Sequence, residues 1–264
     1  MNIIVCLKQV PGTTEVKINP ETNTLIRQGI KNIINPFDSY ALEEGVRLKE
    51  KYGGKVIAIS MGPPQAIDML KEAISLGADE AVLLSDRAFA GADTWATACT
   101  LAGAVKKIGQ IDLIICGRQS TDGDTAQVGP EMAEMLGAAF TAYVGRIEEI
   151  TANYIRVKRM IDEGHEVIQS TLPAVITVTK EINIPRLPSL RGIMRSKSAK
   201  IPIWTLQDLR LDPNKVGQNG SFTRVVKIFT PQRVKKAQMI PGEPEEQVAC
   251  LIGKLKDSFL PLLP

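Results

Sequence analysis

Aromatic residues make up only 5% of the 264-residue chain, histidine occurs once, and the four cysteines stand far apart at positions 6, 99, 116 and 250. No CxxC pair is formed, so neither an iron–sulfur cluster nor a structural zinc site is indicated, and reduced, buried thiols are expected. Charge of either sign is not in excess: 32 basic residues face 29 acidic ones, a net charge of +3. That balance lacks the basic footprint of a nucleic-acid binder and names no partner. No apolar run reaches the roughly 18 residues of a membrane span. The opening MNIIVCLKQV has no basic leader or small-residue cleavage site, so a soluble, cytoplasmic protein is expected. Neither GxGxxG nor GxxxxGK[ST] is present, which removes the standard dinucleotide fingerprint and the P-loop. No repeat period is evident.

What remains is a regular alternation. The strand-length runs NIIVCL, KVIAIS, EAVLLS and DLIICG alternate with helical spacing over 38–52, 64–76 and 93–108, the pattern of a mostly parallel α/β sheet with crossover helices. Pro36 and Asp38, the pair Pro63 and Pro64, and Asp93 with Thr94 supply helix starts. VKINPETNTLIRQG reads as a hairpin turning at 19–23. After residue 140, YVGRIEEI, NYIRVKRMI, HEVIQS and PAVITVT follow without helices between them and predict an added antiparallel layer. From Ile182 on, Pro185, Pro188, Pro202 and Pro213 predict an irregular arm. A terminal helix over 243–259 would carry a stripe of Val248, Leu251, Ile252, Leu255 and Leu260. The expected division is a nucleotide-binding α/β domain over 1–183 and an extended C-terminal arm over 184–264.

Open parallel sheets bind ligands beyond the carboxyl ends of their strands, where helix N-termini offer unpaired N–H groups. Four segments occupy such places: 6–11, 35–38, 60–63 and 117–129. Each alone also fits a plain strand-to-helix turn. The last contains RQSTDGDTAQ, in which Gly123 would let backbone approach a ligand and Asp124 or Thr125 would cap a helix beginning near Ala126. Asp122 has no evident partner, because a carboxylate beside a phosphate is repelled.

The same segments carry a resemblance. VCLKQVP, NPFD, the SMGP turn, the 118–129 loop and VKRMIDEGHEVIQSTLPAVIT at 157–177 occur in the order found in the electron transfer flavoprotein β-subunit family, whose adenine-nucleotide-binding fold resembles that of the adenine nucleotide α-hydrolases. The resemblance covers nearly the whole chain. It implies nucleotide contacts from Cys6, Lys8, Gln9, Asn35, Asp38, Met61 and Gly62, and from Arg118, Gln119, Ser120, Thr121, Asp122, Gly123, Asp124, Thr125, Ala126 and Gln127. Respiratory members read roughly DDDCNQTG in the last loop and hold AMP. Those resembling the electron-bifurcating group read DGDTAQVGP, as here, and hold FAD. AGADTWAT at 90–97 also resembles that group, which implies NADH as hydride donor beside Gly91, Ala92, Asp93 and Gly123. Further implied are an α subunit with its own flavin, ferredoxin or flavodoxin as one electron acceptor, and an acyl-CoA dehydrogenase-like partner. SLRGIMRSKSAK is similar to the family's recognition loop, with Leu190 as anchor among Arg191, Ile193, Met194 and Arg195. Arg146 is expected either to tune a flavin or to form a salt bridge, and His165 to be a surface residue. An adenylating ligase of similar architecture would need a glycine- and serine-rich loop that KQVPGTTEV lacks.

Overall fold

A computed structural model describes residues 1–12, 17–18, 25–26, 32–226 and 237–259. In chain order the elements are β1 (Asn2–Cys6), β2 (Gln9–Pro11), β3 (Lys17–Ile18), β4 (Leu25–Ile26), β5 (Asn32–Ile34), α1 (Pro36–Tyr52), β6 (Lys55–Met61) and α2 (Ile67–Leu76). There follow β7 (Glu80–Leu84), α3 (Thr94–Ile108), β8 (Leu113–Gly117), α4 (Val128–Leu136), β9 (Ala139–Ile150), β10 (Tyr154–Ile161), β11 (Gly164–Thr171) and β12 (Ala174–Val178). Then come α5 (Leu190–Ser198), β13 (Ile203–Trp204), α6 (Leu206–Leu209) and α7 (Pro244–Phe259).

The chain is a mixed α/β protein built on one nine-stranded sheet in the order β11-β10-β9-β12-β8-β1-β6-β7-β13. The seven strands from β9 to β13 in that order run parallel, and β10 and β11 add antiparallel pairs at one edge. Alternate residues of the central strands feed two cores. Ile3, Val5, Val56 and Ala58 meet Leu42 and Val46 of α1 and Leu70 and Ile74 of α2 on one face. Ile4, Ile57 and Ile59 meet Leu101 and Val105 of α3 and Met132 of α4 on the other.

The helices expected from spacing form as local chemistry directs. Pro36 opens α1, Asp38 lies in its first turn, Lys49 and Lys51 lie in its last, and Gly53 at φ +73° ends it. The expected second helix begins with a 3-10 turn at Pro64–Ala66 before α2.

Two expectations need correction. PAVITVT does not join the antiparallel layer: β12 lies between β8 and β9 and is parallel to both. Its five residues are all buried, which is the continuous apolar reading of a two-faced parallel strand. Nor is the chain after Ile182 simply irregular. The first compact unit extends from Met1 to Lys227, beyond the boundary expected at 183. Its later prolines flank short elements: Pro202 accepts from Leu83 N–H as β13 joins the sheet edge, and Pro213 opens a 3-10 turn. A second unit, Ile228–Pro264, contains α7, on which Val248, Leu251, Ile252 and Leu255 are exposed. Leu260 lies outside the described residues, as does the turn expected at 19–23; β3 and β4 pair antiparallel on either side of that turn.

Candidate nucleotide crevice

From β1 the chain runs outward through β6 to β7, then returns to place β8 on the other side of β1. Connections leaving β1 and β8 therefore diverge, and it is at such a reversal of strand order that open α/β sheets receive their ligands. Cys6 and Cys116 are the last registered pair across it. The hydrogen bond with Cys116, followed by burial, raises the Cys6 thiol well above its ordinary pKa, which keeps it neutral.

Asn35 organises the crevice. It is wholly buried, and its Nδ2 donates to Asp38 Oδ1 at 2.9 Å and to Gln119 O at 2.8 Å. Its Oδ1 accepts from Thr121 N–H at 3.1 Å. Asp38 Oδ2 accepts from Lys8 N–H at 2.7 Å. One dipeptide-scale cluster thus ties the ends of β1 and β8 and the start of α1 to the 118–127 loop. Gly117 makes this approach possible, because a Cβ there would stand 2.7 Å from the Phe37 carbonyl carbon and 2.8 Å from Asp38 N.

The acidic residues of the loop are accounted for internally. Asp122 pairs with Lys8 Nζ at 2.6 Å, and the same ammonium reaches Ser120 Oγ at 3.3 Å. Asp124 accepts from Gln119 Nε2, while Gln119 Oε1 accepts from Arg118 Nε at 2.9 Å. The Arg118 guanidinium lies 5.2 Å from the Phe37 ring centre and 5.6 Å from that of Tyr143, a stack that fixes its plane. Neither Asp124 nor Thr125 caps α4, contrary to expectation. Asp124 and Ala126 hold φ of +54° and +57°, so the loop continues to Gln127, whose side chain makes no cap bond either. Gly123 is not among the residues with positive φ. A Cβ there would meet Ser120 Oγ at 3.2 Å, the movable end of a small side chain.

Helix starts divide into two kinds. α1 behind Asn35, α4 behind Gln127 and the 3-10 turn behind Pro63 have no side-chain cap; the last two follow β8 and β6 of the large sheet, while α1 follows β5 of the small antiparallel pair with β2. Proline opens two of these starts, and Asp38 N–H and Ala66 N–H bond to Asn35 O and Pro63 O, but no side chain claims the other first-turn N–H groups, so the residues present fit an anionic nucleotide. Met61 and Gly62 border this edge after β6, and Gln9 lies in β2 beside Ile34 of β5.

α3 is of the other kind. Asp93 Oδ1 caps it through Ala96 N–H at 3.0 Å, and Oδ2 accepts from Phe222 N–H at 2.8 Å and Thr223 N–H at 3.0 Å. Burial pushes this carboxyl up, yet its bonds from Ala96, Thr223 and Phe222 outweigh burial and leave its pKa below the ordinary value. Gly91, Ala92 and Asp93 thus form a turn fastened to residues 217–223. Thr94 Oγ1 donates to Glu131 Oε1 at 3.0 Å and joins this turn to α4. Sequence reasoning missed Glu131, Phe37 and Tyr143; Tyr143 gives no local signal, since its place follows from an unusual φ of +57° within β9.

The recognition segment lies apart from the crevice. Arg186 forms paired bonds to Glu43 and Glu50, which lie two turns apart on α1. Ser189 caps α5 at Gly192 N–H, 3.0 Å. Leu190 and Met194 are 83% and 73% exposed, as an unpartnered apolar ridge would be, with Ile193 at its margin and Arg191 exposed beside it. Arg195 turns the other way and donates to Ile74 O at 2.9 Å and to Ala78 O, closing the C-terminal end of α2. Arg146 is exposed on β9 opposite Lys158 and makes no ion pair among the described residues; His165 is exposed on β11.

The sheet, its reversal point and the helix starts around it define an open, mixed α/β protein. The electron transfer flavoprotein domain family matches residues 22–209, and the chain belongs to the β-subunit branch of that family, which has an electron-transfer role. It is 49% identical over 256 residues to electron transfer flavoprotein subunit beta of Thermoanaerobacterium thermosaccharolyticum, covering 97% of this chain and 98% of that one. Identity to subunit CarD of the caffeyl-CoA reductase-Etf complex of Acetobacterium woodii is 47% over 262 residues, covering 98% and 100% of the two chains. Protein FixA of Azorhizobium caulinodans is 41% identical over 263 residues, covering 97% and 94%. No helix among the described residues is long and apolar enough to cross a membrane.

Proposed function

We propose that the chain is the FAD-holding β subunit of a heterodimeric, electron-bifurcating electron transfer flavoprotein. The observation that carries this reading is the 118–127 loop, in which acidic charge is consumed by Lys8 and Gln119 while the flanking helix N-termini stay uncapped. A loop so arranged offers N–H donors to a pyrophosphate without opposing it. FAD, when bound, supplies the centre that takes a hydride from NADH and passes one electron to ferredoxin or flavodoxin and the other toward the flavin of the α subunit.

This chain's share is position and charge. Asn35 fixes the loop backbone at Gln119 and Thr121; Arg118, held flat by Phe37 and Tyr143, carries Gln119. The Gly91–Asp93 turn, fastened by its carboxylate, forms a firm wall for NADH, with Gly123 adding no side chain to the entrance. Asp93 acts there through the turn, its carboxylate being committed to backbone donors. Leu190, Met194 and Ile193, edged by Arg191, form the face that docks on an acyl-CoA dehydrogenase-like partner, and Arg195 anchors the helix that presents them.

Cofactor extraction from the purified αβ complex tests the reading. Two FAD and no AMP per heterodimer are expected. One FAD with one AMP would overturn it in favour of the respiratory type.

A further inference from the structure

Asp38 is buried where three elements meet; its carboxylate accepts from Lys8 N–H and Asn35 Nδ2, both donors, and the Gly117 backbone packs against it. Two links run from this point to the 118–127 loop: Lys8, whose ammonium reaches the Ser120 and Asp122 side chains, and Asn35, whose remaining bonds hold the loop backbone at Gln119 O and Thr121 N–H. We propose that Asp38 is a proton-sensitive positioning residue for this loop: as a carboxylate it holds Asn35, and through it residues 119–121, in the nucleotide-binding arrangement, and on gaining a proton it releases them. The proposal rests on the reading that this loop holds an adenine nucleotide.

The chemistry follows from counting donors. A carboxylate accepts from both N–H groups, one on each oxygen, whereas a carboxylic acid turns one oxygen into an O–H that must point at an acceptor. With a donor at each oxygen, the new O–H displaces one of them. If the proton sits on Oδ1, Asn35 Nδ2 loses its acceptor, and the amide that spans the loop is no longer held in one orientation. If it sits on Oδ2, Lys8 N–H is displaced at the end of β1, next to the ammonium that pairs with Asp122.

The groups facing Asp38 are few. From the β1 side come Lys8 and the Cys6 thiol, from β8 the Cys116 thiol and, past Gly117, Arg118 lying over Phe37. The α1 start itself favours the anion. Burial nevertheless pushes Asp38 up to about 7, against the lowering effect of Asn35, Lys8 and Gly117. The raised value means that the group favours the folded state most below its ordinary pKa, and that this contribution is lost as pH rises through about 7. Ionised Asp38 therefore organises the loop at a cost in global stability.

Release of FAD from the αβ complex, followed by the fluorescence of freed flavin between about pH 6 and 8.5, tests the proposal. The phase belonging to this chain is identified as the one that Asn35→Ala accelerates. Release from the wild type is expected to quicken about fivefold toward low pH, the factor carried by one hydrogen bond of ordinary net strength, with a midpoint near 7. Asp38→Asn, which cannot ionise, should release at the fast rate throughout, and Asn35→Ala should be fast and independent of pH. A wild-type profile flat in every release phase, or a profile retained in Asp38→Asn, overturns the proposal; the first of these outcomes needs no variant to assemble. Cofactor identity is read separately by extraction, so AMP in place of FAD would refute the functional reading, while the ratio of AMP release rates between wild type and Asp38→Asn would still judge the role of Asp38.

Discussion

The crevice and the recognition segment treat helix ends in opposite ways. Around the 118–127 loop, α1 and α4 begin without side-chain caps. Along 184–223, Ser189 caps α5, Thr205 and Asp208 form a reciprocal capping box on α6, and Asp212 closes the 3-10 turn at Pro213–Lys215. Helix starts without side-chain caps are where open α/β sheets take anions, which is the role proposed for the first region. In the second the helix starts are capped within the chain and exposed apolar side chains, Leu187, Leu190 and Met194, remain, as the proposed docking face requires.

The strongest way to break this comparison is at the junction beneath the crevice. Gly117→Ala would push a methyl group into the Phe37 backbone and Asp38. It should destabilise the fold by about 3 kcal/mol and abolish nucleotide retention, measured by denaturant unfolding and cofactor content.

The two regions should then separate functionally. Leu190→Ala removes the most prominent apolar side chain of α5 and should slow electron delivery to the partner dehydrogenase about tenfold, since a central anchor carries much of an interface's energy. Flavin content and flavin reduction by NADH should stay at wild-type levels. Unchanged partner turnover would remove the anchor role.

Gly123→Asp does the converse. Because Gly123 does not hold a positive φ and its nearest neighbour is the Ser120 hydroxyl, a side chain there should leave FAD in place. Its bulk and charge should nonetheless slow reduction by NADH several-fold, and more than Gly123→Ala does, because hydride transfer is sensitive to displacements of about 1 Å. Stopped-flow reduction beside flavin content makes the distinction, and normal kinetics in a fully loaded variant would exclude this loop as the nicotinamide entrance.

The smallest expected effect is a gain. Ala126 holds φ +57°, a conformation that costs an L-residue about 1 kcal/mol. Ala126→Gly should raise the unfolding midpoint slightly through this relief, offset in part by the greater freedom of glycine in the unfolded chain. A loss of stability would show that the alanine methyl makes contacts that outweigh the strain.

Much of this was legible in one dimension. The apolar runs and their helical partners give β1, β6, β7, β8 and the helices α1 to α3, because burial on a period of two or 3.6 residues is written in the sequence itself. The family follows from its ordered motifs, and with it the segments 6–11, 35–38 and 118–127 that converge on the crevice. The place of β12 was legible too, in AVITV, apolar but for Thr177, but it was obscured by three preceding strands without helices.

The tertiary structure alone decided which polar groups spend one another. Asp122 finds Lys8 from the far side of β1, and Arg186 finds Glu43 and Glu50 across more than a hundred residues of chain. Arg195, a docking residue by position, is turned inward onto the carbonyls of α2. Asp93 closes a turn onto the backbone of residues 222 and 223. Periodicity is a property of neighbours along the chain, so sequence determines the elements and their buried faces. Pairing of donors with acceptors depends on the order in which strands are laid side by side, which places β8 next to β1 and makes one site of residues far apart in the chain.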